Sequence, residues 1–181
     1  MKESTGAVSA IYVVIFFVII MFGFIISTLS YYKSYKINNS LTAAIEDYGG
    51  FFKSKNEDGT ERDSSYKEIE KRLTSYGYTR SDIICKTKNP TDEKFVKADG
   101  SIINEDGKTE ATSSELGYKG YCVYIVDDTP NKGENGAIPF EYYSYKVTTG
   151  MTLDFGLFNF NLPIKMSSRT STMYSCYGSN C

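Results

Sequence analysis

The chain of 181 residues contains no histidine, and that absence removes whole classes of chemistry. A Ser-His-Asp or Cys-His nucleophile needs an imidazole to take the proton, and a His-based metal site needs one as ligand. A surplus of positive charge is missing too. The 20 Lys and Arg are scattered and stand against 22 Asp and Glu, for a formal net charge of −2. A nucleic-acid-binding face needs basic residues gathered to neutralise phosphates, so no nucleic-acid partner is expected. No Cys-x-x-Cys occurs among the four cysteines, and with no histidine to complete a ligand set, neither a metal nor a cofactor is expected.

Charge is absent altogether between Glu3 and Lys33, and within that gap Ala7 to Leu29 forms one apolar stretch dominated by Ile, Val and Phe. At about 1.5 Å rise per residue, such a helix crosses a hydrocarbon core roughly 30 Å thick. It is too long for the h-region of a cleaved secretory signal, and Ile26-Ser27-Thr28-Leu29 runs into Ser30-Tyr31-Tyr32 without a small-x-small cleavage site. The anchor is therefore expected to stay attached. Just past it, Tyr31, Tyr32 and Tyr35 flank Lys33 and Lys36, the arrangement of a headgroup boundary where rings sit half-wet and ammonium groups snorkel.

The remaining roughly 150 residues suit one compact domain. Lys2 and the α-amine on one side of the span against Lys33 and Lys36 on the other would favour a cytoplasmic domain, but long domains translocate largely regardless of so small a difference. The cysteines weigh toward export. Four of them in a small domain rich in Tyr, Gly, Ser and Thr read as two disulfides in an oxidising compartment. Of the three possible pairings, the expected one joins Cys85 to Cys122 and Cys176 to Cys181, because the last two lie close together in a Gly/Ser-containing tail. On the chain-entropy account the larger loop contributes about 3 to 4 kcal/mol.

Beyond the span, Ile37, Leu41, Ala44, Ile45 and Tyr48 recur at helical spacing, and Gly49-Gly50 supplies the stop. The expected helix is apolar all round in its first half and amphipathic in its second. Lys53 to Asp63 reads as a charged loop. A short helix follows, capped by Asp63 or Ser64, with Tyr66, Ile69, Leu73 and Tyr76 as its apolar face and Gly77 at its end. Ile83 to Cys85 reads as a strand or its approach, and Asp99-Gly100 as a type I′ turn between Phe95-Val96 and Ile102-Ile103. Tyr121 to Val126, Glu141 to Leu153 and Phe158 to Met173 read as strands. In the second, Tyr143, Tyr145, Val147 and Thr149 alternate with Ser144, Lys146 and Thr148, predicting one buried and one wet face. Pro163 in the last suggests an edge strand or a break. The fold class expected is α+β: a long helix and an antiparallel sheet.

Few polar constellations point to chemistry. Asp127 and Asp128 are adjacent on a strand and so point to opposite faces, unlike two carboxyls sharing a substrate. The loop from Asp127 to Asn135 offers oxygen ligands, but at no EF-hand spacing, and reads as a solvated loop. Asn56-Glu57-Asp58-Gly59 recurs at residues 104–107 as a second polar turn. Tyr142, Tyr143 and Tyr145 fit either an aromatic binding surface or a Tyr-rich sheet core.

The front of the chain carries a more specific pattern. Gly6-Ala7-Val8-Ser9-Ala10-Ile11-Tyr12, behind the polar leader Met1 to Thr5, resembles the processing site of type IV prepilins. In the Flp and TadE-like branch the pattern is Gly, four residues, Glu, then Tyr or Phe. Gly6 matches the residue before the cut and Tyr12 the aromatic, while Ile11 stands where Glu is expected. The Asn38 to Glu46 stretch and the strand-rich carboxyl end are also similar to that family. The resemblance implies a leader at 1–6 cut between Gly6 and Ala7 by a prepilin peptidase, a transmembrane helix at 7–30, a helix extension at 31–50 and an extracytoplasmic α+β domain at 51–181. Ile11, Tyr12 and the helix face beyond them would pack against other pilin-like subunits and a filament assembly platform. Ile in place of the Glu that pairs with a neighbour's amino terminus implies a minor pseudopilin or an unprocessed membrane protein of the same descent, not a major filament subunit. The alternative class is a single-pass surface receptor or ligand-binding module using the Asp127 loop or the tyrosine face.

Overall fold

A computed structural model of the chain describes residues 2–51, 64–78, 82–103, 108–129, 142–155 and 160–174, with side chains described from Ser9 onward except for 151–163. One helix, α1, runs from Lys2 to Asp47 without a break, joining the expected span and its amphipathic extension into a single rod. Its end is a Schellman motif. Gly49 adopts a left-handed φ of 66° and its N–H donates to Glu46 O, while Gly50 N–H donates to Ile45 O, both at 3.0 Å. The second helix, α2 (Ser65–Ser75), is capped by Ser64, whose Oγ accepts from Lys67 N–H. Ile69 and Leu73 of α2 are fully buried. Arg72 ties the two helices together: it donates to Ser40 O at 2.7 Å, to Asp47 at 3.1 Å and to Glu68 at 2.8 Å.

The strands are β1 (Ile84–Lys86), β2 (Glu93–Val96), β3 (Glu110–Thr112), β4 (Tyr121–Asp127), β5 (Tyr142–Phe155), β6 (Phe160–Arg169) and β7 (Met173–Tyr174). The main sheet has the order β2-β4-β5-β6, with β7 pairing the start of β5, and every pairing is antiparallel. β6 lies at the sheet's edge, so Pro163, which has no N–H to give to a further strand, is accommodated there. Gly100 closes the turn after β2, with a φ of 86° and its N–H on Lys97 O.

Both faces of the sheet are covered. On one, Ile37, Leu41, Ala44 and Ile45 of α1 are fully buried, and Thr149 and Val147 of β5 meet the helix. On the other sits the two-stranded β1-β3 sheet, held by the Cys85–Cys122 disulfide. Close approach there requires Gly150, since a Cβ at that position would stand 2.7 Å from Ile83 Cγ2. The expectation of a wet face on β5 is therefore corrected: Ser144 and Thr148 are buried. Lys146 is withdrawn from water over the Tyr124 ring, at 4.6 Å, and pairs with Glu93 at 2.6 Å. The residues of β5 do alternate between two faces, but alternation within one strand does not reveal the second layer that a disulfide brings over its polar side.

Tyrosine does much of the filling. Tyr118, Tyr121 and Tyr124 are among the largest fully buried side chains. Tyr118 stacks near Tyr121, with centroids 4.7 Å apart, and meets Phe51 edge-on at 5.6 Å. Its hydroxyl donates to Val96 O, so the ring is buried without orphaning its polar tip. The Tyr78 hydroxyl donates to Gly120 O at 2.6 Å and accepts from Gly150 N–H at 3.1 Å.

Two expectations follow. Replacing both Cys85 and Cys122 by Ala should lower the unfolding free energy by about 4 kcal/mol, from the entropy of the loop they close, read by urea denaturation of the full chain in detergent micelles. Burial raises the hydroxyls of Tyr78 and Tyr124 from the ordinary 10 to about 12. The unfolded chain thus loses these protons first, so the stability they contribute is complete below pH 10 and is lost as the pH climbs toward about 12. Denaturation midpoints across that window, alongside tyrosinate absorbance, check the direction; a midpoint unchanged across it would contradict this.

Candidate assembly surface

The candidate site is the free half of α1 and the way the domain grips the other half. Ser9–Asp47 is a helix long and apolar enough to cross a membrane. From Ser9 to Lys33 its side chains face outward from the domain, apart from half-exposed Gly23, Ser27 and Ser30. Ile11 is 58% and Tyr12 69% exposed, and Phe16, Phe17, Phe22 and Phe24 are similarly bare. Such a surface has no counterpart in a water-soluble domain and needs lipid or other helices around it. Gly6 and Ala7 fall within the first turns of α1. At the boundary, Tyr31, Tyr32 and Tyr35 stay exposed, while Lys36 Nζ lies 5.9 Å from the centre of the Tyr76 ring beyond the end of α2.

Burial begins abruptly at Ser34 and continues through Ile37, Asn38, Leu41, Thr42, Ala44 and Ile45. The grip on the helix is polar as well as apolar. Asn38, buried, donates through Nδ2 to Val147 O at 3.2 Å, to Thr149 Oγ1 at 3.1 Å and to Met166 O at 2.8 Å. Its Oδ1 is hydrogen-bonded by Ser168, whose hydroxyl also contacts Thr42. About two turns beyond Asn38, Glu46 Oε1 accepts from the N–H of Ser171 at 2.6 Å and from its hydroxyl at 2.9 Å. A single amide thus bridges the backbones of β5 and β6, and the register of helix on sheet is set by directional bonds that an apolar seam would lack.

Ile37, Leu41, Ala44 and Ile45 lie on the packing face, as their spacing predicts, and Asn38 and Thr42, which the apolar stripe leaves out, are buried beside them. The missed signal is their own spacing of four, adjacent to the apolar stripe, which carries them onto the same face. Cys85 and Cys122 are brought together as expected; Cys176 and Cys181 lie outside the described residues. So do the Lys53 to Asp63 loop and Asn131, Glu134 and Asn135. Asp127 accepts from Thr129 N–H at 2.9 Å, and Asp128 pairs with Arg169, so the two carboxylates serve separate contacts. Among the described residues no group of three His, Cys, Asp or Glu side chains could hold a metal ion. Tyr142 is exposed, whereas the Tyr145 hydroxyl is bonded to the Phe51 backbone and raised in pKa by burial, so the three tyrosines form no common surface.

Asn38→Ala should remove the amide's bonds to two carbonyls and two hydroxyls in the seam and cost about 2 to 3 kcal/mol. Asn39→Ala on the exposed side should be nearly neutral; equal effects in chemical denaturation would contradict the role given to Asn38. No family model, curated protein or solved structure matches this chain.

Proposed function

We propose that the chain is a membrane-anchored, TadE-like pseudopilin: a structural, non-enzymatic minor component of a tight-adherence or related type IV filament assembly. The observation that carries this reading is the continuity of α1. One uninterrupted helix is bare and apolar over its first half, and over its second half forms one wall of an α+β core. A simple tether would need only the first half. Building the rod into the core makes any lateral packing of the helix move the domain with it, as a subunit that assembles through its helix requires. The exported side is assigned to the domain, in keeping with its buried disulfide, and the amino terminus to the cytoplasm.

Gly6 and Ala7 flank the proposed cut, and Ile11 and Tyr12 lie on the helix surface that would meet other pilin-like subunits and the assembly platform. With Ile11 in place of an acidic residue, the span carries no charge to be matched within lipid, which suits a subunit that primes or decorates a filament. Mass spectrometry of the amino terminus, in cells possessing a prepilin peptidase, tests the processing. The expected mature chain begins at Ala7, and Gly6→Leu should abolish the cut; an intact Met1 in the unaltered protein would overturn it.

A further inference from the structure

β5 and β6 outrun the rest of the sheet. β4 begins opposite Thr149, yet β5 and β6 remain paired beyond it as far as Phe155 and Phe160. The contacts with α1 give the direction of this overhang. Asn38 meets Met166 and Glu46 meets Ser171, so β6 runs in the same sense as α1 and its beginning points toward the apolar half of the helix. Over that interval, eight residues of α1 keep pace with five of the β6 segment. On this measure the six residues from Met166 back to Phe160 match about ten of α1. The end of the ribbon therefore stands level with Thr28, inside the apolar stretch and past Lys33.

Register and sequence make this overhang two-sided. Met151 pairs with Ile164, Leu153 with Leu162 and Phe155 with Phe160, while Gly150 pairs with Lys165, Thr152 with Pro163 and Asp154 with Asn161. Partners in an antiparallel ladder share a face, so one set of pairs is wholly apolar and the alternate set mostly polar. The apolar set has the parity of Thr149 and Met166, the residues that meet α1. Ile164, Met166 and Ser168 are half-buried and Lys165, Ser167 and Arg169 exposed, which fixes the alternation where the ribbon leaves the domain. Two strands alone bury too little to hold such a face in water.

We propose that the β5–β6 ribbon is a second membrane contact, lying in the headgroup and upper acyl region of the bilayer that α1 crosses, on the domain's side. This rests on the reading of α1 as a membrane span. A ribbon and a helix entering the same leaflet at two points would restrain tilt and rotation of the domain, and would present α1 to a neighbouring helix in one orientation.

The chain has no tryptophan, so a single introduced indole reports on one place. Full-length Phe155→Trp and, as a second position on the partner strand, Leu162→Trp are reconstituted into phosphatidylcholine–phosphatidylglycerol vesicles carrying nitroxide-labelled lipids. Phe22→Trp in α1 serves as the reference. The expected result is blue-shifted emission at both ribbon positions, quenched more by a nitroxide near the headgroup than by one deep in the chains, with Phe22→Trp quenched by the deep one. Water-like, unquenched emission from the ribbon with Phe22→Trp still quenched would overturn the ribbon contact alone. Blue-shifted but unquenched ribbon emission would also overturn it, in favour of burial against a second copy. An unquenched Phe22→Trp would remove the membrane span and the ribbon contact together.

Discussion

The amide of Asn38 is the constraint on which the rest of the molecule depends. A helix laid on a sheet by apolar contact alone can slide or roll at small cost, because dispersion and hydrophobic burial are non-directional. Asn38 removes that freedom by bonding two adjacent strands at once, and Ser168 and Thr42 complete the network. Because the same helix continues without a break into its bare apolar half, fixing its register on the sheet also fixes where the sheet stands relative to that apolar half. The direction of β6, the level reached by the β5–β6 ribbon and the orientation of the exposed helix all follow from this seam.

The opposite face of the sheet solves a different problem. A domain with one sheet face already covered by α1 has modest material left for a second layer. A disulfide supplies it by tying β1 to Cys122 in β4, with Gly150 permitting close approach. Buried tyrosines fill the remainder, each hydroxyl of Tyr78 and Tyr118 ending on a backbone carbonyl. Tyrosine provides large area with a polar tip, so it suits a small core where backbone groups at strand ends still need partners.

Much of this architecture was legible beforehand because it depends on short-range rules. The Gly49-Gly50 stop, a cap at Asp63 or Ser64 and the stripe from Ile37 to Ile45 each follow from one or two neighbouring residues. Tyr118 and Tyr78 carried no such mark. They lie in irregular segments, where no periodicity separates a buried aromatic from an exposed one, and their burial comes from partners far along the chain. The wet face expected for β5 failed for the same reason: alternation describes one strand, and what lies above it is decided elsewhere.

By itself, then, the sequence determined the long apolar helix, its amphipathic continuation and the α+β class, since composition, period and spacing are local properties; of the three cysteine pairings it left open, the structure selects Cys85 with Cys122. Only the tertiary structure decided that Asn38 and Thr42 lock that helix to β5 and β6, that both faces of the sheet are covered, and that the β5–β6 ribbon points toward the apolar end of α1. Those outcomes depend on the register between segments more than a hundred residues apart, and register is set by which side chains find partners across the fold, a relation no local pattern contains.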